Sequence, residues 1–241
     1  GAKRFWAGLG VLMLWGAVAV NGSRGSWVAI AAGLLVGLLL LFQTRKQLFV
    51  GVLVGLTLLI GMGLVIFAGI PPVKEAVLNR FDTMDRLEED KSYMIRQLMN
   101  QKALRLFAES PLIGIGPSRF TITSTELDIP ALLRYAPQSH FDSKSAHNSY
   151  LAYLAETGLA GAIPFAILLV ILIIKGYLAA KQLTVTGNFW ALAIFLSFIQ
   201  MSVHMWALNS LYNSGNWFIY GLTGAMIMCN QSLRKSGRGT P

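Results

Sequence analysis

Charged residues are scarce in this sequence. Only 13% of its 241 residues are Asp, Glu, Lys or Arg, whereas a soluble domain carries about 25%. Hydrophobic residues make up 54%, and the mean hydropathy is +0.56. This composition excludes an ordinary soluble domain, and its repeated long apolar runs indicate a membrane protein.

Cysteine and histidine are also rare. Cys229 is the only cysteine, so no disulfide can form within the chain. The three histidines are far apart and have no acidic cluster beside them, so nothing matches the ligand spacing of a zinc or calcium site. We therefore expect chemistry that uses neither a metal ion nor a cofactor.

Acidic residues are missing from almost all of the apolar sequence. Ten of the eleven lie between Glu75 and Asp142, and the slightly wider segment 71–147 contains ten Lys or Arg as well, so that segment is neutral overall. The net charge of +9 therefore comes from cations that flank apolar runs. Such cations are signals of membrane topology, which argues against a nucleic-acid partner.

The apolar runs predict an all-α polytopic protein with about six transmembrane helices. The candidate spans are residues 5–20, 27–42, 48–70, 159–174, 189–207 and 217–230. The positive-inside rule places both ends of the chain in the cytoplasm and residues 71–158 outside it, as one large helical loop between the third and fourth spans. The chain thus divides into residues 1–70 with three spans, the loop 71–158, residues 159–231 with three spans, and a basic cytoplasmic tail 232–241. Because the chain starts in a basic flank without an initiator Met, we expect it to be the C-terminal part of a longer protein.

The external loop has a helical pattern of its own. Apolar residues recur every three or four positions over residues 91–109, which predicts an amphipathic helix that Pro111 ends. Residues 111–117 form an apolar turn. A second helix is predicted to begin near Ser145, as N-cap, and to end at Gly158.

Arg24 and His147 are the two residues whose positions favour chemistry. Arg24 is the one membrane-flanking cation on the external side, and its guanidinium could hold phosphate oxygens bidentately. The alternative is an Arg that contacts lipid headgroups or loop carboxylates. His147 opens the helix that returns to the membrane, where a neutral imidazole could accept a proton from a hydroxyl. The alternative is a partly buried His that is hydrogen-bonded to backbone.

For the arginines of the loop, a role without chemistry is the simplest interpretation. Arg96 lies on the polar face of the predicted loop helix, where a solvated charge or an ion pair with the acidic residues 88–90 is expected. Arg105 and Arg119 carry the same interpretation.

Three further ionisable residues are weaker candidates. His204 is near the external end of the fifth span, where a hydrogen bond between helices is expected. Glu156 is expected to pair with a cation or else to shape the site. His140 lies in a polar segment and should be solvated.

Three sequence segments, taken in order, resemble one family. They are GSRG at 22–25, SPLIGIGPSRF at 110–120 after the helix with Arg96, and AHNSYL at 146–151 leading to ETGLAG at 156–161. Together with the topology, they resemble the O-antigen ligase and O-antigen polymerase superfamily of bacterial inner-membrane glycosyltransferases. The resemblance covers about residues 15–175. Full-length members have more spans than the six predicted here.

The resemblance implies a GT-C-type membrane fold with a periplasmic loop over the site. It implies a metal-independent inverting transfer of a glycan from undecaprenyl diphosphate to a saccharide or lipid A-core acceptor. Carried over to matching positions, Arg24 and Arg96 bind the donor diphosphate and His147 is the catalytic base. Further residues could support the site: Asn148, Glu156, Arg119 and His204.

Two other function classes remain open at this point. A transporter or flippase for lipid-linked glycans would carry ionisable residues at mid-membrane and broken helices. A non-catalytic polysaccharide-binding membrane protein would not depend on Arg24 or His147. Within the glycosyltransferase class, the sequence leaves ligase, polymerase and protein O-glycosylation unseparated.

Overall fold

The computed structural model describes residues 24–71, 74–75, 91–208, 210 and 212–236. Within these ranges the chain is helical and contains no strand. A short 3₁₀ helix spans Ala131–Leu133. The α-helices are α1 Arg24–Thr44, α2 Lys46–Gly69, α3 Lys91–Glu109, α4 Gln138–Asp142, α5 Ser149–Val185, α6 Phe189–His204 and α7 Ser214–Lys235.

Three of these helices are long and apolar enough to cross a membrane: α1, α2 and α5. The helix α6 is apolar but has only 16 residues, so it ends before the predicted limit of 207. The predicted spans 27–42 and 48–70 correspond to α1 and α2, and the predicted span 217–230 lies within the helix α7, which is not one of these three. The first predicted span, 5–20, lies outside the described residues.

The predicted fourth span, 159–174, lies within a longer helix. The helix α5 continues without a break to Val185 and therefore carries Lys175 and Lys181 on its surface, where the sequence suggested a connection. Lysine has a good helix propensity, and Gly176, which follows Lys175, is buried where α5 packs on Phe195 and Thr223, so neither the cations nor this glycine ends the helix.

The apolar helices pack into a bundle in which α1 contacts α6 and α5 contacts both α6 and α7. Its core includes Leu40, Phe165, Phe195 and Tyr220. Glycines allow α1 to approach α6 closely, because a Cβ at Gly33 would lie 2.5 Å from the Gln200 side chain. The helix α2 packs mainly on α1, and most of its apolar surface is exposed.

The two ends of this bundle differ in composition. At one end, Arg45 donates from Nε to the Thr184 carbonyl (3.3 Å) and from Nη2 to the Val185 carbonyl (2.6 Å), which satisfies acceptors at the end of α5. At the other end, the Ser149 amide donates to the Met205 carbonyl (2.9 Å). The cation-bearing connection at Arg45 and the start of α5, where the loop ends, thus lie at opposite ends of the bundle.

The loop has its own apolar core, formed by the buried face of α3 and the start of α5. The apolar face predicted for α3 is mostly buried there: Leu98, Met99, Ala103 and Leu106 are buried, and Ile95 is partly buried. They pack against residues from the rest of the loop and from α5: Phe120, Leu127, Leu133, Phe141, Ala146, Ala152 and Ala155. The loop is therefore a folded unit attached to α5.

The helix α5 breaks sharply at Gly158, whose backbone is non-helical (φ 59°, ψ −162°). The ring centroids of Tyr153 and Phe165, on opposite sides of the break, are 4.9 Å apart. Twelve residues of straight helix would separate them by about 18 Å. The first segment of α5, residues 149–157, therefore meets the second segment, residues 159–185, at a steep angle, and the predicted helix end at Gly158 is confirmed.

The turn at residues 111–116 fills this break with backbone hydrogen bonds in both directions. The Ile115 and Gly116 amides donate to the carbonyls of residues 155 and 156 (both 3.0 Å), and the Leu159 and Ala160 amides donate to the carbonyls of residues 111 and 112 (both 2.9 Å). A Cβ at Gly114 would lie 2.3 Å from the Glu156 backbone, so no larger residue fits without a shift. The turn thus supplies the partners that an interrupted helix lacks.

The start of α5 differs from its prediction. The helix begins at Ser149, and its N-cap is Asn148, whose side chain accepts from the Tyr150 and Leu151 amides (3.0 and 3.2 Å). Ser145 is exposed and lies outside the helix. Asparagine is as good a cap as serine, and here its backbone is extended as a cap requires, so the cap falls three residues later than predicted.

Candidate active site

His147 lies immediately before the Asn148 cap, at the point where the loop joins α5. Its side chain is half-buried. Burial lowers the pKa of His147, and the nearby positive charges of Arg96 and Lys144 lower it further. The imidazole is therefore neutral at neutral pH and retains a nitrogen that can accept a proton.

Arg96 is the second residue of this site, and it comes from α3. The charge of its guanidinium acts on His147, which places the two side chains in one neighbourhood. Its Nε is buried and has no hydrogen-bond partner among the described residues. An unfilled guanidinium donor beside a neutral histidine fits an anionic ligand. The expected alternative partners of Arg96, residues 88–90, lie outside the described part of the chain.

Arg24 begins α1, and the structure describes its backbone but not its side chain. The next residue, Gly25, packs so closely on the residues that follow α6 that a Cβ there would lie 2.4 Å from the Ala207 Cβ. Because the Ser149 amide binds the Met205 carbonyl two residues away, the start of α1 lies at the same end of the bundle as His147. A contact between Arg24 and a ligand stays a prediction.

His204 makes the hydrogen bond between helices that the sequence favoured. Its Nε2 lies 3.3 Å from Oγ of Ser26, which joins α6 to α1 near the start of α1. This bond holds the two helix ends together beside the residues just described.

Glu156 is buried, and the expected pairing with a cation is wrong for the described residues. Its Oε1 accepts from the Phe120 amide (3.0 Å), and its Oε2 accepts from the Tyr212 hydroxyl. Partial loss of solvent and then the hydrogen bond to Glu156 raise the pKa of Tyr212 to about 12, so this hydroxyl remains a donor. Glu156 thus ties the loop to the connection between α6 and α7.

The other loop cations and histidine stand apart from this cluster in different ways. Arg105 forms an ion pair with Asp128, as expected of a loop arginine. Arg119 is exposed beside Gly116, and its supporting role stays a prediction. His140 is exposed at the end of α4, as predicted.

Two residues that matter to the site were missed from the sequence. Lys102 is fully buried; its Nζ donates to the Asp142 carbonyl (2.6 Å) and lies 5.0 Å from the centroid of the Phe120 ring. Burial lowers the pKa of Lys102, and the Asp142 charge partly opposes that shift. Its position four residues from both Leu98 and Leu106 places Lys102 on the apolar face of α3 and could have revealed it.

Ser149 is the second missed residue. Its hydroxyl donates to the Leu208 carbonyl and accepts from the Ser210 amide (2.9 Å). The connection between α6 and α7 is thereby attached to the residue two positions after His147. No pattern in the sequence identifies this contact, because it joins segments about sixty residues apart.

Among the described residues, no group of three or more His, Cys, Asp or Glu is arranged to hold a metal ion. The charged groups gathered at His147 are cationic, which suits an anion rather than a metal.

The fold and the site define a helical membrane protein whose folded loop holds a neutral histidine near an arginine whose buried Nε has no hydrogen-bond partner in the described part of the chain. The family model described as O-antigen ligase matches residues 9–166. This match covers more than half of the chain, and the chain belongs to the O-antigen ligase family. It includes His147, Arg96 and the break at Gly158, whereas α6 and α7 lie beyond it. A comparison with curated proteins found no match.

Proposed function

We propose that this protein transfers a glycan from undecaprenyl diphosphate to a saccharide acceptor on the periplasmic face of the bacterial inner membrane. Family membership supports glycan transfer of the O-antigen ligase or polymerase type in general. The observation that carries the finer proposal is the pairing of a half-buried, neutral His147 with the buried, unpartnered Nε of Arg96.

In the proposed reaction His147 takes the proton from an acceptor hydroxyl. The freed oxygen attacks the anomeric carbon of the donor sugar and forms the new glycosidic bond. The bond between that carbon and the diphosphate oxygen breaks, and undecaprenyl diphosphate leaves with the electron pair. A single displacement from the face opposite the leaving group inverts the anomeric carbon.

The leaving diphosphate gains negative charge as the bond breaks. Arg96, and Arg24 from the start of α1, are proposed to bind its oxygens. Fixed cations that are in place before the reaction stabilise such charge more effectively than solvent does. A diphosphate held by arginines needs neither a metal ion nor a general acid, so we propose a metal-independent mechanism.

The direct test is transfer of a labelled glycan from undecaprenyl diphosphate to candidate acceptors by purified protein in liposomes. His147→Ala and Arg96→Ala should abolish most turnover at normal protein levels. The matched controls are His140→Ala and Arg134→Ala, which change an exposed histidine and an exposed arginine of the same loop and should leave turnover intact. Full turnover in His147→Ala would contradict the assignment of His147 as the catalytic base.

The same liposomes separate the competing functions. A flippase would move labelled lipid-linked glycan across the bilayer without any acceptor, and a polysaccharide-binding protein would retain glycan without releasing undecaprenyl diphosphate. Release of undecaprenyl diphosphate that depends on acceptor is the expected result.

A further inference from the structure

Leu112 and Ile113 are two adjacent apolar side chains that neither apolar core uses. They are 68% and 74% exposed, although they belong to the turn that is hydrogen-bonded into the break of α5. Single exposed apolar residues are common on proteins and need no explanation. These two call for one because the backbone fixes where they lie along a membrane helix.

The hydrogen bonds set that position. The Leu112 carbonyl accepts from the Ala160 amide, so the turn is level with the first residues of the second segment of α5. On that segment Ile163 and Ile167 are 53% and 54% exposed. The turn therefore lies next to an apolar helix surface, with no charged residue between positions 110 and 118.

The length of the apolar stretch indicates what surrounds the turn. The charge-free part of α5 is followed by the exposed Lys175, whose ammonium belongs at the membrane surface. Residues 159–174 rise about 24 Å, which is less than the hydrocarbon core of about 30 Å. With the ammonium of Lys175 at one surface of the membrane, the hydrocarbon reaches beyond Leu159 at the other end, to the level of the turn.

The backbone of the turn is suited to such a place. Irregular backbone is tolerated at membrane depth only where its polar groups are satisfied by protein. Here the amides of residues 114, 115 and 116 and the carbonyls of residues 111 and 112 are hydrogen-bonded within the chain. The amides of residues 112 and 113 have no such bond among the described residues, so the turn fits the polar edge of the hydrocarbon and not its centre.

We propose that Leu112 and Ile113 insert into the acyl chains of the bilayer leaflet on the side of the loop, where they anchor the loop beside α5. The surface is a lipid contact and does not depend on the proposed transfer reaction. It fixes the height of the loop above the membrane, and with it the height of the residues that the loop carries.

Site-directed spin labelling of the full chain in liposomes tests this proposal. In a Cys229→Ser background, the label is placed at Ile113→Cys, where the native side chain is exposed and packing is undisturbed. Ile163→Cys, at a position 53% exposed on α5, reports the hydrocarbon. Leu132→Cys, 54% exposed in the 3₁₀ helix of the loop, reports a loop position without such hydrogen bonds to α5. Collision rates with oxygen and with a water-soluble nickel chelate are measured for each.

The label at position 113 should resemble the label at 163, with oxygen collisions favoured severalfold over nickel collisions. A label at 113 that favours the nickel chelate, as position 132 should, would overturn the insertion. Nickel access at 163 would also overturn it, because the proposal requires that segment to lie in the bilayer. Both contrary results leave the transfer assay unaffected, so they are distinct from failure of the proposed function.

Discussion

Arg45 and Arg96 are two arginines at opposite ends of the same bundle, and their surroundings differ. Arg45 donates from Nε and Nη2 to two carbonyls at the end of α5, so these donors hold helices together. Arg96 has a buried Nε with no partner among the described residues and acts on a neutral histidine. The same side chain thus stabilises the fold at one end and is available to a ligand at the other.

The largest expected effect comes from removing the base at the Arg96 end. His147→Ala should lower the rate of glycan transfer on the order of 1000-fold, since general-base catalysis commonly contributes that much. Turnover by purified protein in liposomes measures it, with thermal unfolding as a check on folding. A loss below tenfold would contradict the role of His147 as base.

The two arginines themselves give the sharpest contrast. Arg96→Ala should lower transfer about 100-fold, as loss of a charge-stabilising group does, with little change in melting temperature. Arg45→Ala should retain turnover but lose about 1–2 kcal/mol of stability with its two hydrogen bonds. A lower transfer rate in Arg45→Ala together with a lower stability in Arg96→Ala would contradict this contrast.

The pH dependence gives a smaller and more specific effect. The pKa of His147 is lowered, so the active neutral form persists above that pKa and transfer should fall only as the pH drops below it. Removing a nearby positive charge raises the histidine pKa. As the pH is lowered, the residual transfer by Arg96→Gln should therefore decline at a higher pH than transfer by the wild type does.

The control for this shift is Arg45→Gln, which removes a cation from the far end of the bundle. Its profile of transfer rate against pH should coincide with that of the wild type. A shift of equal size in both variants would mean that the charge of Arg96 does not act locally on His147.

The smallest effect concerns the cap that positions His147. Asn148→Ala removes the acceptor of two amide hydrogen bonds and should cost about 1 kcal/mol of stability. Asn148→Asp should retain the stability, because an aspartate caps equally well. Thermal unfolding measures both variants, and equal melting temperatures for Asn148→Ala and the wild type would contradict the cap.

Much of the helical layout could be predicted because it follows from local rules. Apolar runs defined α1 and α2, the three-to-four-residue period defined α3, and Gly158 marked a helix end. The end of α5 was predicted wrongly because Lys175 and Lys181 are compatible with helix. The start of α5 was misplaced because Ser145 and Asn148 have similar capping ability, and only the surrounding fold selects one of them.

The site was only partly predictable from the chain. His147 and Arg96 could be chosen from sequence segments that resemble a family, but the buried Nε of Arg96 depends on packing. Glu156 was assigned to a cation, because a carboxylate beside a membrane usually needs one, yet two neutral donors from distant segments satisfy it. Contacts such as Ser149 with residues 208 and 210 depend on tertiary folding alone.

The interlocked hydrogen bonds between the 111–116 turn and the break at Gly158 have a mechanical consequence. Four bonds running in both directions make the turn and the two segments of α5 one rigid body. The loop therefore cannot swing open about its junction with α5. Any motion that admits a glycan of the proposed kind has to carry the turn and the start of α5 along with α3, or to occur on the opposite side of the loop.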